Sequence, residues 1–212
     1  IPALARNSDV LYAPRIEAPA AAEPLPCAGA VGTAISCGVD SLHVVKRHGH
    51  SPYPGLSLTH LFLCDVGAYE ENNSQFEWQV EHARCFAEEY GFKLVVGRSN
   101  LRKAFYIPHW LINTFSNCFA VYALRKLWKT YYYASSGSEL QSIFSLKDSE
   151  QYDCDRYDLL SLDCFSIPSL RFHLEGVTLT RLEKTRELAD WPPAWKYLHV
   201  CCADRGPNCG MC

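Results

Sequence analysis

The sequence predicts an α/β fold of three layers with a mostly parallel sheet. Apolar strands alternate with helical segments along the chain, a pattern that favours right-handed βαβ units with helices on both faces of the sheet. The chain has 212 residues, enough for one such domain with at most a small appendage. Hydrophobic residues make up 48% and charged residues 20%, a balance typical of a globular protein with a real core.

Each predicted strand and helix rests on a local pattern in the sequence. Residues 31–35, 56–65, 92–96 and 130–134 are short apolar or β-branched runs, and 197–200 is a similar short run, so we expect five strands there. Residues 42–48, 76–90, 110–128 and 176–190 have apolar positions at helical spacing, and Gly91 provides a stop for the second of these helices. Residues 138–163 are polar and Asp-rich, which predicts a mobile excursion between the last two units.

The chain divides into three parts by composition. Residues 1–30 are rich in Ala and Pro and should be irregular. Residues 31–200 hold the alternating pattern and form the predicted domain. Residues 201–212 form a cysteine-rich end.

Charge and hydropathy exclude several classes of protein. The net charge of −3 argues against a broad nucleic-acid-binding surface, although local contact with RNA stays open. The chain lacks both an apolar run near the ~18 residues that span a bilayer and the apolar stretch of a signal peptide. We therefore expect a cytoplasmic protein without a membrane partner. The eleven cysteines favour buried thiols plus one metal cluster over a disulfide scaffold.

The turn at residues 36–41 follows the first predicted strand and opens the first helix. A helix N-terminus in this position offers unpaired amides and the positive end of the helix dipole to an anion such as phosphate. Ser36 and Ser41 can donate hydroxyl hydrogen bonds, and Gly38 lets the backbone approach a ligand. Asp40 would repel bare phosphate, so its presence suggests a Mg²⁺ ion between the two.

This turn resembles the SGGxDS motif of the PP-loop family, the N-type ATP pyrophosphatases. Cys37 stands where the motif has its first glycine. The resemblance implies a HUP-type (Rossmann-like) fold that binds ATP and Mg²⁺. The nucleotide contacts that it implies in this turn are Ser36, Cys37, Gly38, Val39, Asp40 and Ser41.

Two interpretations of Cys37 stay open. It is either a small buried residue or a reactive thiol whose pKa is lowered by the helix N-terminus. A positive φ at this position would cost a residue with a Cβ about 1 kcal/mol.

Further candidates follow the other strands. Asp65 ends the second strand, and by resemblance it binds ribose or metal, while a plain turn residue is the alternative. Ser135 and Ser136 follow the fourth strand and either line the substrate pocket or form an ordinary loop. Ser99 to Arg102 resemble a "TNLR" segment of a PP-loop subgroup, so Arg102 is either a substrate contact or a surface residue.

The segment around residues 181–184 resembles an R-x-E-K stretch of the family. Lys184 and Arg181 would then neutralise the charge that develops as pyrophosphate leaves, and with Asp40 they form the predicted catalytic set. A solvated helix face with Glu–Lys pairs is the alternative.

The C-terminal cysteines resemble the zinc knuckle of the 7-cyano-7-deazaguanine synthase-like subgroup. Cys201, Cys209 and Cys212 match three of its four ligands, which implies a structural Zn²⁺ site. The fourth cysteine of that pattern lies beyond residue 212, so we expect either a ligand from elsewhere or an incomplete chain. A redox Cys-x-x-Cys is the alternative.

Together these resemblances imply an ATP-dependent enzyme that forms AMP and pyrophosphate. A carboxyl or carbonyl oxygen of a small-molecule or nucleobase-like substrate would be adenylated and then attacked by a nitrogen or sulfur nucleophile. Two alternatives stay open, a tRNA- or protein-modifying PP-loop enzyme and a nucleotide-binding module without turnover. A homodimer is also left open.

Overall fold

The computed structural model of the chain describes residues 25–69, 73–137 and 154–201, together with residues 15, 17–19, 23 and 208. Its centre is a sheet in which every neighbouring pair of strands is parallel. The strands are β1 (Ala30–Ala34), β2 (His60–Asp65), β3 (Lys93–Arg98), β4 (Trp128–Ala134) and β5 (Arg171–Glu175). Their order across the sheet is β3-β2-β1-β4-β5.

Helices connect these strands, and a 3₁₀ turn at Cys154–Tyr157 comes directly before the fifth helix. The helices are α1 (Val39–His48), α2 (Asn73–Tyr90), α3 (Leu101–Phe105), α4 (His109–Ala123), α5 (Asp158–Phe165), α6 (Arg181–Leu188) and α7 (Pro192–Tyr197). None of the helices described here is long and apolar enough to cross a bilayer.

The strands send alternate side chains to two separate cores. On β2, Leu61 and Leu63 join the core that α1 and α2 cover, whereas Phe62 joins the core beneath α4 and α5. This alternation follows from the two-residue period of a strand. Helices therefore cover both faces of the sheet, and the predicted α/β class with a parallel sheet is confirmed at this level.

The order of the strands creates a crevice at the carboxyl edge of the sheet. From β1 the chain moves outward to β2 and β3, and then returns to place β4 on the other side of β1. The adjacent carboxyl ends of β1 and β4 are thus the topological switch point, where open α/β sheets bind their ligands. The turn at residues 36–41 leaves β1 at this edge.

Two of the predicted boundaries are wrong around Trp128. The helix predicted to reach residue 128 ends at Ala123, and Trp128 is the first residue of β4. Its side chain is completely buried against Gly32, where an added Cβ would lie 2.6 Å from the indole Cζ3. Tertiary packing of the indole against β1 therefore decides where the strand begins.

The predictions for residues 138–163 and for the chain beyond them need larger corrections. Residues 138–153 lie outside the described residues, but the part from residue 154 has regular structure, the 3₁₀ turn and the start of α5. Thr114 Oγ1 donates a 2.6 Å hydrogen bond to the buried Asp158, and Leu162 of α5 is buried as well. β5 was not predicted, although Leu170, Phe172 and Leu174 alternate around it as a strand requires.

The last two elements also differ from expectation. The helix predicted at 176–190 is limited to α6 because Thr180 and Glu183 form a capping box at its start. The strand predicted at 197–200 is wrong, since Tyr197 ends α7, a helix that begins with two prolines.

Candidate functional site

The turn at residues 36–41 joins β1 to α1 at the switch point. Cys37 adopts the left-handed conformation, with φ of 56°, so the position does have the backbone that the family motif fills with glycine. Gly38 is the N-cap of α1 and provides no side-chain cap. The first amides of α1 therefore have no acceptor within the helix, which leaves the positive end of its dipole open to a ligand.

The two serines of the turn lie against each other. Ser36 Oγ is 3.2 Å from Ser41 Oγ, and it accepts a hydrogen bond from the Gly38 amide at 3.3 Å. Ser41 Oγ in turn donates to the Gly38 carbonyl at 3.1 Å. Ser36 is exposed and Ser41 is buried, and both hydroxyls take part in the contacts that hold the turn.

The carbonyl groups of the turn are held from behind. The buried Gln79 of α2 donates from Nε2 to the Ser36 carbonyl at 2.8 Å. The His199 amide donates to the Cys37 carbonyl, also at 2.8 Å. These two bonds anchor the turn to α2 and to the C-terminal segment, which gives it a fixed shape before any ligand arrives.

The structure decides between the two interpretations of Cys37. The residue is completely buried, and burial raises the pKa of its thiol to about 12. This direction contradicts the hypothesis of a thiol with a lowered pKa, because burial disfavours the charged thiolate. Cys37 is a small buried residue in a left-handed position.

The three charged residues of the predicted catalytic set lie in one cluster. Lys184 Nζ is 3.0 Å from Asp40 Oδ1, and Arg181 Nη2 is 2.9 Å from Asp40 Oδ2. Lys184 is 1% exposed, so the alternative of a solvated helix face is wrong for this residue. Arg181 stays largely open to solvent, with 62% of its side chain exposed.

Ser135 and Ser136 take part through their backbone. The Ser135 carbonyl accepts from Lys184 Nζ at 2.6 Å, and the Ser136 carbonyl accepts from Arg181 Nη2 at 3.0 Å. Their hydroxyls donate elsewhere, that of Ser135 to the Gly137 carbonyl and that of Ser136 to Asp155 Oδ2. The loop after β4 thus helps to position both cations.

Sequence reasoning missed two residues that support Lys184. Gly176 follows β5 with φ of 78°, and an added Cβ there would lie 2.8 Å from Lys184 Cε. His43 of α1 is buried beside it and contacts Glu187 Oε2 at 2.9 Å through Nε2. Burial lowers the pKa of His43, which favours the neutral ring next to Lys184. The sequence offered no signal for this role of Gly176, because β5, the strand that precedes it, was not predicted.

A small pocket opens beside the turn at the carboxyl ends of β1 and β4. Its volume is about 270 Å³. Amide side chains of α4, Asn113 and Asn117, line it together with the aromatic rings of Tyr69 and Tyr133 and with Ser36. The pocket therefore combines planar apolar walls with a few hydrogen-bonding groups, as small-ligand sites do.

Asp65 lies one strand away from the turn. Its Oδ1 accepts from the Gly67 amide at 2.9 Å and from the Tyr69 amide at 3.5 Å, the bonding of a turn residue. Asp65 also lines a larger cleft, of about 1070 Å³, between the carboxyl ends of β2 and β3. The structure therefore gives it a local structural role at the same rim as Ser36.

The predicted zinc ligands are only partly described. Cys201 is buried, whereas Cys209 and Cys212 lie outside the described residues. Among the residues with a described position, no three His, Cys, Asp or Glu side chains are grouped as a metal site would require. The structure therefore leaves the zinc site as a prediction.

Comparisons with models of known protein families, with curated proteins and with solved structures gave no match for this chain.

Proposed function

We propose that this chain is a HUP-type, PP-loop ATP-binding enzyme that adenylates a carboxyl or carbonyl oxygen of a small-molecule or nucleobase-like substrate. The observation that carries the proposal is the position of Asp40, Lys184 and Arg181 beside the uncapped N-terminus of α1. Such a helix end binds phosphate, and two cations in contact with its first turn suit a triphosphate better than a neutral ligand.

The two cations have different tasks in this proposal. Lys184 is buried and fixed by Asp40 and the Ser135 carbonyl, so its charge is in place before the reaction. Arg181 is exposed and can follow the phosphates as they move. Fixed positive charge lowers the energy of the transition state because pyrophosphate gains charge as it leaves.

Asp40 would hold the Mg²⁺ ion. A carboxylate has about four lone-pair sites, and protein-bound Mg²⁺ commonly takes one or two carboxylates together with phosphate oxygens and water. Lys184 and Arg181 each use one oxygen of Asp40, which fits a carboxylate that also reaches a metal. The ion would supply charge neutralisation on the phosphates.

The adenosine would occupy the 270 Å³ pocket beside Ser36. Asn113 and Asn117 offer both donors and acceptors to a base edge, and the tyrosine rings offer planar surfaces to its faces. In the reaction, a substrate oxygen attacks the α-phosphorus, the bond to pyrophosphate breaks and an adenylate forms. A nitrogen or sulfur nucleophile then displaces AMP.

ATP-dependent stabilisation and ATP–pyrophosphate exchange test this proposal. We expect ATP with Mg²⁺ to raise the melting temperature of the chain, and we expect one acid of a candidate panel to support exchange of labelled pyrophosphate. Asp40→Asn should abolish both, whereas Asp190→Asn, which changes an exposed carboxylate paired with Lys46, should abolish neither.

Two results would contradict parts of the proposal. If ATP does not bind, the proposal fails as a whole. If ATP binds and no acid of the panel supports exchange, adenylation of a small acid fails, and the two alternatives of a tRNA- or protein-modifying enzyme and of a nucleotide-binding module without turnover take its place.

We also propose that Cys201, Cys209 and Cys212 hold a structural Zn²⁺ ion. All-thiolate zinc sites are closed and contribute to folding. Elemental analysis of the purified chain should give about one zinc per chain, and Cys209→Ser should lower this content and the melting temperature. Wild-type protein without zinc would contradict the assignment.

A further inference from the structure

One buried titratable side chain beside the charge cluster has no task in the proposed reaction. His43 of α1 has no exposed surface, and it is not among the described residues that line the 270 Å³ pocket. We therefore do not expect it to touch the nucleotide. A buried ionisable group lowers stability unless its partners compensate for the lost hydration, so the groups around His43 indicate what the residue does.

The two ring nitrogens of His43 have different surroundings. Nε2 is 2.9 Å from Glu187 Oε2, whereas Nδ1 has no hydrogen-bond partner in the part of the chain that the structure describes. An ionised carboxylate only accepts hydrogen bonds, so Nε2 carries the hydrogen and Nδ1 presents a lone pair. The contact with Glu187 therefore fixes the neutral ring in one tautomer.

The Nδ1 atom is a near neighbour of the ammonium group of Lys184. A Cβ added to Gly176 would lie 3.5 Å from His43 Nδ1 and 3.3 Å from Lys184 Nζ, so both nitrogens lie close to one point that only a glycine leaves free. Lys184 donates two of its three N–H groups, one to Asp40 Oδ1 and one to the Ser135 carbonyl. A lone pair is the compatible neighbour for this cation.

Charged groups from three elements face His43. Glu187 and Lys184 lie on α6, Glu175 ends β5, and Arg47 lies on α1 itself. Burial is the main cause that lowers the pKa of His43, and the contact with Glu187 opposes it. The cations Lys184 and Arg47 also lower the pKa. The ring is therefore neutral at neutral pH and takes up a proton only in acid.

We propose that His43 is a positioning residue that keeps Lys184 in place and makes the reaction sensitive to acid. The inference rests on the proposed function, which assigns Lys184 to the leaving pyrophosphate. The neutral ring is compatible with the bonds of Lys184 to Asp40 and Ser135. Protonation converts Nδ1 into a cationic donor beside a second cation, and like charges repel strongly where water is excluded. Lys184 then leaves its present position, and the reaction loses a fixed positive charge.

The added proton could have the opposite effect if Lys184 stayed where it is. A second cation would then add to the positive potential at the phosphates and speed the reaction. The packing favours displacement, because Lys184 is 1% exposed and the Gly176 backbone lies against both nitrogens. Two cations in so confined a space separate only when Lys184 gives up its present contacts. Faster exchange in acid is therefore an outcome that contradicts the inference.

The first measurement follows His43 without any nucleotide. NMR spectra of the histidine rings, recorded against pH, give the tautomer and the pKa of each ring, and the His43 signals are those missing in His43→Gln. We expect the hydrogen on Nε2. Lys184→Met should raise the pKa of His43, because a nearby cation is removed, whereas loss of the exposed Arg186 in Arg186→Met should not change it. An unchanged pKa in Lys184→Met overturns the inference.

The second measurement is the pH profile of ATP–pyrophosphate exchange with Mg²⁺ and an acid that supports it. The wild-type rate should fall about tenfold per pH unit below the pKa of His43, as one inactivating proton requires. His43→Gln keeps a donor for Glu187 and cannot be protonated. Its rate, relative to its own value at about pH 8, should no longer fall in this way. The titration of ATP and of the acid is common to all variants, so a difference between profiles belongs to the protein.

Two further variants connect the acid decline to the contact between His43 and Lys184. His48→Gln removes another histidine of α1, which contacts Glu175 at 2.7 Å, and it should keep the wild-type decline. Lys184→Met and the double variant with His43→Gln should have profiles of the same shape, because the cation through which His43 acts is absent from both. Circular dichroism at each pH verifies that the variants are folded.

The remaining outcomes separate this inference from the proposed function. If wild-type protein supports exchange and His43→Gln keeps the acid decline, the residue has a structural role only and the inference alone is overturned. Exchange that becomes faster in acid overturns it as well. If ATP does not bind to wild-type protein at any pH, the proposed function fails, and the positioning role of His43 fails with it.

Discussion

Replacing Lys184 with methionine removes one buried cation and keeps most of the side-chain volume. The change leaves the Ser135 carbonyl without the donor that lies 2.6 Å away, and it takes one of two cationic partners from Asp40. Loss of a hydrogen bond to a charged group costs about 1.5–3 kcal/mol. Asp40 keeps Arg181 and is 21% exposed, so we expect a loss near 2 kcal/mol rather than the ~3–5 kcal/mol of a fully buried broken pair.

The effect on catalysis should be larger than the effect on stability. A preorganised group that stabilises developing charge typically contributes about 10²–10³ in rate, so ATP–pyrophosphate exchange should fall by about that factor in Lys184→Met. Urea unfolding measures the change in the free energy of unfolding. ATP–pyrophosphate exchange with an acid that supports it measures the change in rate. Both are compared with wild-type protein under the same conditions.

Arg186→Met is the matched control for this variant. It removes one charge from the same helix at an exposed position, so its stability should change by no more than about 0.5 kcal/mol and its exchange rate should not change. An exchange rate of Lys184→Met within about threefold of wild type would refute the role of this cation, since one missing charge at the leaving group would then be worth less than ~0.7 kcal/mol.

Three further predictions use the surroundings of this cluster. Gly176→Ala should lower the free energy of unfolding in urea by about 1–2 kcal/mol and slow ATP–pyrophosphate exchange, because φ is 78° and the new Cβ would lie 2.8 Å from Lys184 Cε. A variant with wild-type stability would contradict this. Iodoacetamide at mildly alkaline pH should label the exposed Cys85 and not Cys37, whose pKa is raised to about 12, and mass spectrometry of peptides would detect the opposite result. Burial is the main cause that lowers the pKa of His43 in the folded protein. The stability that the neutral ring contributes is therefore fully present above pH 6.5, the ordinary pKa of histidine, and it is lost as the pH falls through the lowered pKa of the folded state. His43→Asn should remove up to about 1.4 kcal/mol per pH unit from the acid slope of the unfolding free energy, and an unchanged slope would exclude this residue as the cause.

Local patterns predicted the strands that bury their side chains on both faces. β1, β2 and β4, which lie inside the sheet, are found close to their predicted residues, because runs of apolar and β-branched residues favour buried parallel strands. The edge strand β3 is also found close to its predicted residues, although none of its residues is buried. The turn at residues 36–41 was equally readable, since a Gly- and Ser-containing segment between a strand and a helix has a restricted set of conformations. Its left-handed Cys37 follows from the same local geometry.

Other elements depend on partners far away in the sequence. Trp128 continues an apolar run, which predicts a helix. It is instead the first residue of β4, because its indole packs into the space that the missing side chain of Gly32 leaves. β5 is short, so the alternation of apolar and polar residues along it is a weak signal by itself. It becomes a strand because it pairs with β4. Gly176 shows no signal in the sequence because its importance comes from the approach of Lys184.

The sequence by itself determined the α/β class, the parallel strands and the polar turn after the first of them, because hydrophobic periodicity and turn chemistry act over a few residues. Only the tertiary structure decided that the predicted set of Asp40, Lys184 and Arg181 is in direct contact, and through which atoms. Asp40 and Lys184 are 144 residues apart, and they meet because the strand order puts β4 and β5 beside β1 and lets α6 pack against α1. Contacts of that kind depend on packing between elements, which no local pattern encodes.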